Sequence, residues 1–220
     1  MDENGIDFSA IPQLAVKVLT SPADFFRGMP RNGGFLHPLV FMVVLSVISG
    51  VLCGLLHALT NIFGLRLYAG VAMGFLSIVM LPVLAAIGST VFGFMAAGVL
   101  FVIWKGMGSN EDYEGAYRCT AYLAAVSPVT TVLTIIPYIG GAIGLLILLY
   151  YLVAATVAVH GVPSRKAWAG FGIITVLLMI LSVSTQITER RFARTMEQAA
   201  ESWKSASEQV MKDHKEMQSR

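Results

Sequence analysis

An interval that is almost free of charge, residues 33–188, constrains the fold of this chain more than any other feature. Most of the charged residues lie outside it, in residues 2–31 and 189–220. Over the whole chain 56% of residues are hydrophobic and 13% are charged, whereas an ordinary soluble domain has about 45–50% and about 25%. Because a helix needs about 20 apolar residues to cross a bilayer, the interval has room for four to six such helices. The sequence therefore predicts an all-α, polytopic transmembrane bundle.

The predicted bundle occupies residues 36–188, between an N-terminal polar and interfacial segment, residues 1–35, and a charged helical tail, residues 189–220. Five spans are expected, at about 36–59, 83–104, 119–137, 141–159 and 167–187. The short turn Pro137–Gly141 makes the third and fourth spans an antiparallel hairpin. The apolar stretch from Val71 to Trp104 is too long for one upright span and too short for two. Pro82 is expected to divide it, which leaves residues 71–82 as an interfacial segment, a re-entrant segment or part of a long span.

Two short amphipathic helices are predicted before the first span, in residues 11–30. Thr20, Ser21 and Pro22 end the first and start the second, because serine caps a helix and proline suits its first turn. These helices fit either an interfacial position on the membrane or an extension packed against the bundle.

Small residues recur at four-residue spacing in the first and second predicted spans, and two glycines lie at the start of the fourth predicted span. Such stripes let helices approach closely, which matters in lipid because association there depends on packing. The stripes fit either packing within the bundle or dimerisation of two chains. The predicted helix-packing residues are Ser46, Gly50 and Gly54, then Ser89, Gly93 and Ala97, and finally Gly140 and Gly144.

The third span is expected to be polar and irregular, because proline frees a backbone carbonyl that nearby hydroxyl groups or neighbouring helices then satisfy. This polarity allows a pathway for ions or lipid through the bundle. The residues of this predicted pathway are Tyr122, Ser127, Pro128, Thr130, Thr131 and Thr134.

The C-terminal tail has the composition of a helix, with apolar residues at three- and four-residue spacing. The pattern favours a solvated amphipathic helix that continues the fifth span over an element for self-association or for a protein partner. Its principal apolar residues are Phe192, Met196, Trp203, Val210 and Met217.

The sequence carries no motif for catalysis, cofactor binding or metal binding. It has no phosphate-binding loop, no metalloprotease histidine pair, no CxxC and no GxSxG. Glu111, Asp112 and Glu114 suit either a cation site or, preferably, a helix start. Cys53 and Cys119 are expected to be apolar fillers. A net charge of +2 is too small for a nucleic-acid-binding surface. We therefore expect that the chain is not an enzyme and binds no cofactor, metal or nucleic acid. Membrane lipid is the first partner that we expect.

Several segments in a common order resemble the Yip family of membrane proteins, named for interacting with Ypt/Rab GTPases, in its short prokaryotic form. The resemblance runs from about Ser21 to Ser182, and the segments that carry it are SPADFFRGM, AYLAAVSP, IPYIGG and LYYLVAATVAVHGVPSRKA. It implies five spans, a cytoplasmic amino terminus and a carboxyl terminus on the other side of the membrane. The positive-inside rule does not choose between four and five spans, since both give the same balance of cationic residues.

The family resemblance implies a membrane scaffold in the cytoplasmic, or inner, membrane. Eukaryotic members resemble scaffolds for Rab GTPases and carry a DLYGP-like motif in a long amino terminus. This chain has no such motif, so a GTPase partner is not supported. The alternative function is a passive channel or lipid-translocating protein that uses the polar, proline-broken third span.

Overall fold

A computed structural model describes residues 8–62, 76–136 and 139–218. The described residues form a helical bundle without strands, in agreement with the predicted fold class. The helices are α1 Ala10–Thr20, α2 Pro22–Gly28, α3 Leu36–Ile62, α4 Ser77–Gly106, α5 Tyr113–Leu123, α6 Ser127–Leu133, α7 Ile139–His160 and α8 Ser164–Gln218, with a 3-10 turn, Ala124–Val126, between α5 and α6.

Four of the described helices are long and apolar enough to cross a membrane. They are Leu36–Thr60 of α3, all of α4, all of α7, and Ser164–Thr188 of α8. These coincide with the first, second, fourth and fifth predicted spans. The third predicted span, residues 119–137, falls on α5 and α6, which are shorter than a spanning helix. The helix is interrupted by the 3-10 turn just before Pro128, which lies in the first turn of α6 and lacks an amide hydrogen.

The break expected at Pro82 is absent, because this proline lies inside the 30-residue helix α4. Residues 77–82 thus belong to the same helix as the predicted second span, whereas residues 71–75 lie outside the described residues. Pro82 is near the start of α4, so it removes only one early hydrogen bond of the helix. At about 1.5 Å per residue α4 is roughly 45 Å long, longer than the hydrocarbon core of about 30 Å.

The long helices run back and forth between two ends of the bundle. At one end, which we call the Trp104 end, Ser109 Oγ lies 2.8 Å from Nδ1 of His160, the last residue of α7. At the other, the Gly140 end, Leu133 at the end of α6 packs against Gly140 at the start of α7. The α5–α6 segment therefore runs from the Trp104 end to the Gly140 end. Pro137 and Tyr138 of the predicted turn lie outside the described residues.

The N-terminal helices α1 and α2 pack against the bundle. Val18 and Phe26 are almost completely buried, and the ring of Phe25 lies 5.1 Å from that of Tyr122 in α5. The Tyr151 hydroxyl of α7 donates a hydrogen bond to the Leu19 carbonyl at 2.6 Å. Of the two arrangements open from the sequence, these contacts favour an extension packed on the bundle.

Candidate functional site

A cavity of about 590 Å³ lies within the apolar part of the bundle. The wall from α4 extends from Ser89 to Ile103, and the opposite wall consists of residues 145–152 of α7 and 171–178 of α8. Parts of α3, α5 and α6 close the remaining side. Most of the lining is apolar. We call this space the main cavity and consider it a candidate binding site.

The main cavity arises from the way the helices pair. Helix α4 packs mainly on α3 and α5, whereas α7 packs on α8, α2 and α6. The main cavity lies between these two groups of helices, and its α4 wall includes the small residues Gly93 and Ala96. At the Trp104 end the gap is bridged by Trp104, whose Nε1 donates a hydrogen bond to Thr156 Oγ1 at 2.9 Å. The cavity is therefore closed at that end by side chains of the bundle.

A second space of about 480 Å³, the side cavity, lies next to the main cavity. Ser46, Ser89 and Ser127, from α3, α4 and α6, line both spaces. The residues that the two cavities share are therefore all serines.

The structure separates the residues of the predicted polar pathway. Ser127 lines both cavities and Thr131 lines the side cavity. Tyr122 instead packs between the rings of Phe25 and Phe41. Thr130 and Thr134 donate hydrogen bonds to backbone carbonyls one turn earlier, those of Ser127 and Thr131. The hydroxyl groups of Thr130 and Thr134 are therefore engaged with the backbone of their own segment.

The predicted packing stripes lie at close helix contacts. A Cβ atom on Gly50 would lie 2.7 Å from Pro82 Cα, and one on Gly54 would lie 2.7 Å from Ile78 Cα, both in α4. In α4 itself, Gly93 packs against Met42, and Ala97 is fully buried near the same residue. Gly140 packs against the Leu133 carbonyl, and Gly144 packs against Thr130. Ser46 and Ser89 line the cavities instead.

A network of charged residues at the Trp104 end has no counterpart in the sequence predictions. Arg31 pairs with Glu111, 80 residues later. Arg118, only 5% exposed, donates a hydrogen bond to the Gly34 carbonyl at 2.9 Å, and the Gly34 amide donates one to Glu114 at 2.7 Å. Only the four-residue spacing of Glu114 and Arg118, which lie 3.8 Å apart, was visible as a local signal.

The three acidic residues considered for a cation site or a helix start take part in a helix cap and in ion pairs. Asp112 caps α5 by accepting a hydrogen bond from the Gly115 amide at 2.8 Å, as the preferred prediction held. Glu111 and Glu114 are engaged by arginines. Among the described residues no group of three or more His, Cys, Asp or Glu side chains could hold a metal ion.

The tail continues α8 without interruption to Gln218. Phe192, Met196 and Trp203 are all exposed, at 66%, 55% and 77%. Val210 and Met217 belong to the same helix, but their side chains lie outside the described part. Among the tail side chains that the structure describes, the apolar face is therefore not covered by the bundle.

The chain matches the model of one protein family, the Yip1 domain, over residues 16–185. No curated protein and no solved structure matches it. The matched region begins within α1 and includes all four membrane-spanning helices almost to the end of the apolar part of α8. It also contains every segment on which the resemblance rested. This chain therefore belongs to the Yip1 domain family and is an integral membrane protein.

Proposed function

We propose that this protein is a non-catalytic membrane scaffold that presents its C-terminal helix to a partner. The observation that supports this most is the projection of α8. Residues 189–218 extend the helix by about 45 Å beyond its apolar part. An exposed apolar face on so long a helix is suited to another helix, because the seven-residue repeat of its apolar positions matches that of paired helices.

A second copy of this chain is the partner that the tail fits best. The face that carries Phe192, Met196 and Trp203 also contains Ala199, which is exposed. Lys204, Glu208, Lys212 and Glu216 alternate in charge at four-residue steps, and opposite charges beside an apolar seam stabilise a helix pair. The small-residue stripes are already used within the bundle, so the tail is the more available surface.

Cysteine crosslinking in native membranes tests the scaffold proposal. In a variant with Cys53 and Cys119 replaced by alanine, we expect Ala199→Cys to form a disulfide-linked dimer at least several-fold more than Glu201→Cys. Glu201 lies two residues away on the opposite side of the helix, which makes it a matched control. A strictly monomeric chain with no copurifying protein, or equal crosslinking at both positions, would contradict the proposal.

We further propose five spans, with α5, the 3-10 turn and α6 together forming the third. At 1.5 Å per residue, residues 113–133 extend about 31 Å, which is close to the thickness of the hydrocarbon core. Val129, Val132 and Ile135 are exposed as expected for side chains in contact with lipid. This arrangement places the tail opposite the amino terminus. In line with the family, the amino terminus would be cytoplasmic and the membrane the inner one.

A passive channel or lipid translocator remains the alternative function. The discontinuous placement of Ser127, Thr130 and Thr134 offers it little support, and the apolar main cavity does not suit a hydrated ion. Flux of ions or labelled lipid in proteoliposomes tests it directly. Flux that depends on Ser127 and Thr131 would favour this alternative over the scaffold.

A further inference from the structure

Three residues that line the main cavity have hydroxyl groups without a hydrogen-bond partner among the described residues. They are Ser46 of α3, Ser127 of α6 and Thr175 of α8, and Thr175 is only 7% exposed. A hydroxyl group in a helix can donate to a carbonyl one turn earlier, as those of Ser89 and Thr120 do at the same cavity. The other three hydroxyl groups make no such bond, so they are available to a ligand.

Two of these hydroxyl groups lie near the middle of the bilayer. Helix α8 and the α5–α6 segment both begin at the Trp104 end. At 1.5 Å per residue, Thr175 is about 17 Å from the first residue of α8, and Ser127 is about 21 Å from the first residue of α5. The hydrocarbon core is about 30 Å thick, and its lipid chains offer no hydrogen-bond partner. An unpaired polar group is unfavourable there, so a ligand that brings an oxygen atom stabilises the site.

The rest of the main cavity suits an uncharged hydrocarbon chain. All of its described lining residues are uncharged, and most are apolar. The wall on α4 extends from Ser89 to Ile103, which at 1.5 Å per residue is about 21 Å. Phe92 and Val99 of α4 and Leu178 of α8 line the cavity and are also exposed, so the cavity opens between these helices to the surface that contacts lipid. A ligand can therefore enter from the bilayer.

We propose that the main cavity binds an uncharged lipid with one long hydrocarbon chain and one hydroxyl group, which is a long-chain alcohol. The chain lies along the apolar wall of α4, and the hydroxyl group pairs with those of the protein near the middle of the bilayer. A carboxylate or phosphate does not suit this position, because a charge inside the membrane needs a partner of opposite charge and the described lining has none. This site goes beyond the scaffold proposal and does not depend on the tail.

Photolabelling of the purified full-length protein in detergent tests this site. The probe is hexadecanol with a diazirine group in its chain, and the labelled residues are identified by mass spectrometry. We expect the label on α4, α7 and α8 at the cavity. Excess unlabelled hexadecanol should lower the labelling about fivefold more than hexadecane does, because hexadecane lacks only the oxygen atom and its hydrogen bonds. Hexadecyl phosphate, which has the same chain with a charged group, should compete no better than hexadecane.

Removal of the three hydroxyl groups tests the polar part of the site. The triple variant Ser46→Ala/Ser127→Ala/Thr175→Val keeps the apolar walls, so hexadecanol and hexadecane should compete equally for it. Thr90→Val is the matched control, because the Thr90 hydroxyl already donates to the Ala86 carbonyl and Thr90 is not a lining residue of either cavity. This control should keep the preference for hexadecanol.

Obstruction of the cavity tests its location. Ala96→Trp places an indole ring at the cavity wall and should remove most of the labelling. Met95→Trp adds the same bulk one residue away, at an exposed position outside the cavity, and should leave the labelling unchanged. Equal labelling of these two variants, equal competition by hexadecanol and hexadecane in the unmodified protein, or a preference that survives loss of the three hydroxyl groups would overturn the proposal.

Discussion

Trp104→Ala should lower the free energy of unfolding by about 4 kcal/mol, within the range for removing a buried tryptophan. Trp104 is fully buried at the point where α4, α7 and α8 meet. Its ring is stacked on that of His160, with centroids 3.9 Å apart, and lies edge-on to that of Phe171 at 6.4 Å. The substitution removes both contacts and the hydrogen bond to Thr156, and it enlarges the space next to the main cavity.

Unfolding of the purified protein in detergent, monitored by circular dichroism, measures this effect. Trp203→Ala is the matched control because that side chain is 77% exposed in the tail, and surface substitutions usually change stability by less than about 0.5 kcal/mol. Trp104→Phe should fall between the two, since it keeps an aromatic ring but loses the indole donor. Equal stability of Trp104→Ala and Trp203→Ala would contradict the packing at the Trp104 end.

Arg118→Ala should cost about 3 kcal/mol, because breaking a buried ion pair leaves its partner uncompensated. Arg118 lies 3.8 Å from Glu114 and holds the Gly34 carbonyl. Gly33 and Gly34 have φ angles of 129° and 82°, a region that glycine enters without strain. This turn presents the Gly34 backbone to both charged side chains. Without the guanidinium, the Gly34 carbonyl loses its donor and the Glu114 carboxylate loses its cation.

The exposed pair of Arg27 and Asp24 provides the control for Arg118. These side chains lie 2.8 Å apart but are 70% and 74% exposed, and exposed pairs contribute about 0–1 kcal/mol. Arg27→Ala should therefore change the unfolding transition little under the same conditions. If Arg27→Ala and Arg118→Ala shift it equally, the network between the N-terminal segment and α5 does not stabilise the fold.

The predictable part of the fold is the part set by local hydrophobicity. The predicted span at about 141–159 lies within α7, and the predicted first span lies within α3, because an uninterrupted apolar run determines each. The effect of a proline on a helix depends on its position in the helix, and the hydrophobic pattern alone did not show which proline would interrupt one. Pro82 is accommodated near the start of α4, whereas the region of Pro128 is interrupted.

The candidate site was less accessible to sequence reasoning because it depends on contacts between distant residues. Arg31 and Glu111 are 80 residues apart, and no local spacing indicates that they meet. The main cavity lies between α4 on one side and α7 and α8 on the other, helices that do not follow each other in the chain. The polarity around Ser127 was visible in the sequence, but only the fold shows that Ser127 lines the same two cavities as Ser46 and Ser89.

Accessibility of single cysteines tests the five-span arrangement most directly. Asn110 and Ser164 are exposed at the Trp104 end and Ser207 is exposed in the tail, so each can carry a cysteine in a chain that lacks Cys53 and Cys119. Labelling of intact cells with a membrane-impermeant maleimide is expected to modify Ser207→Cys and to spare Asn110→Cys and Ser164→Cys. Equal labelling, or equal protection, at all three positions would contradict a bundle in which an odd number of helices crosses the membrane.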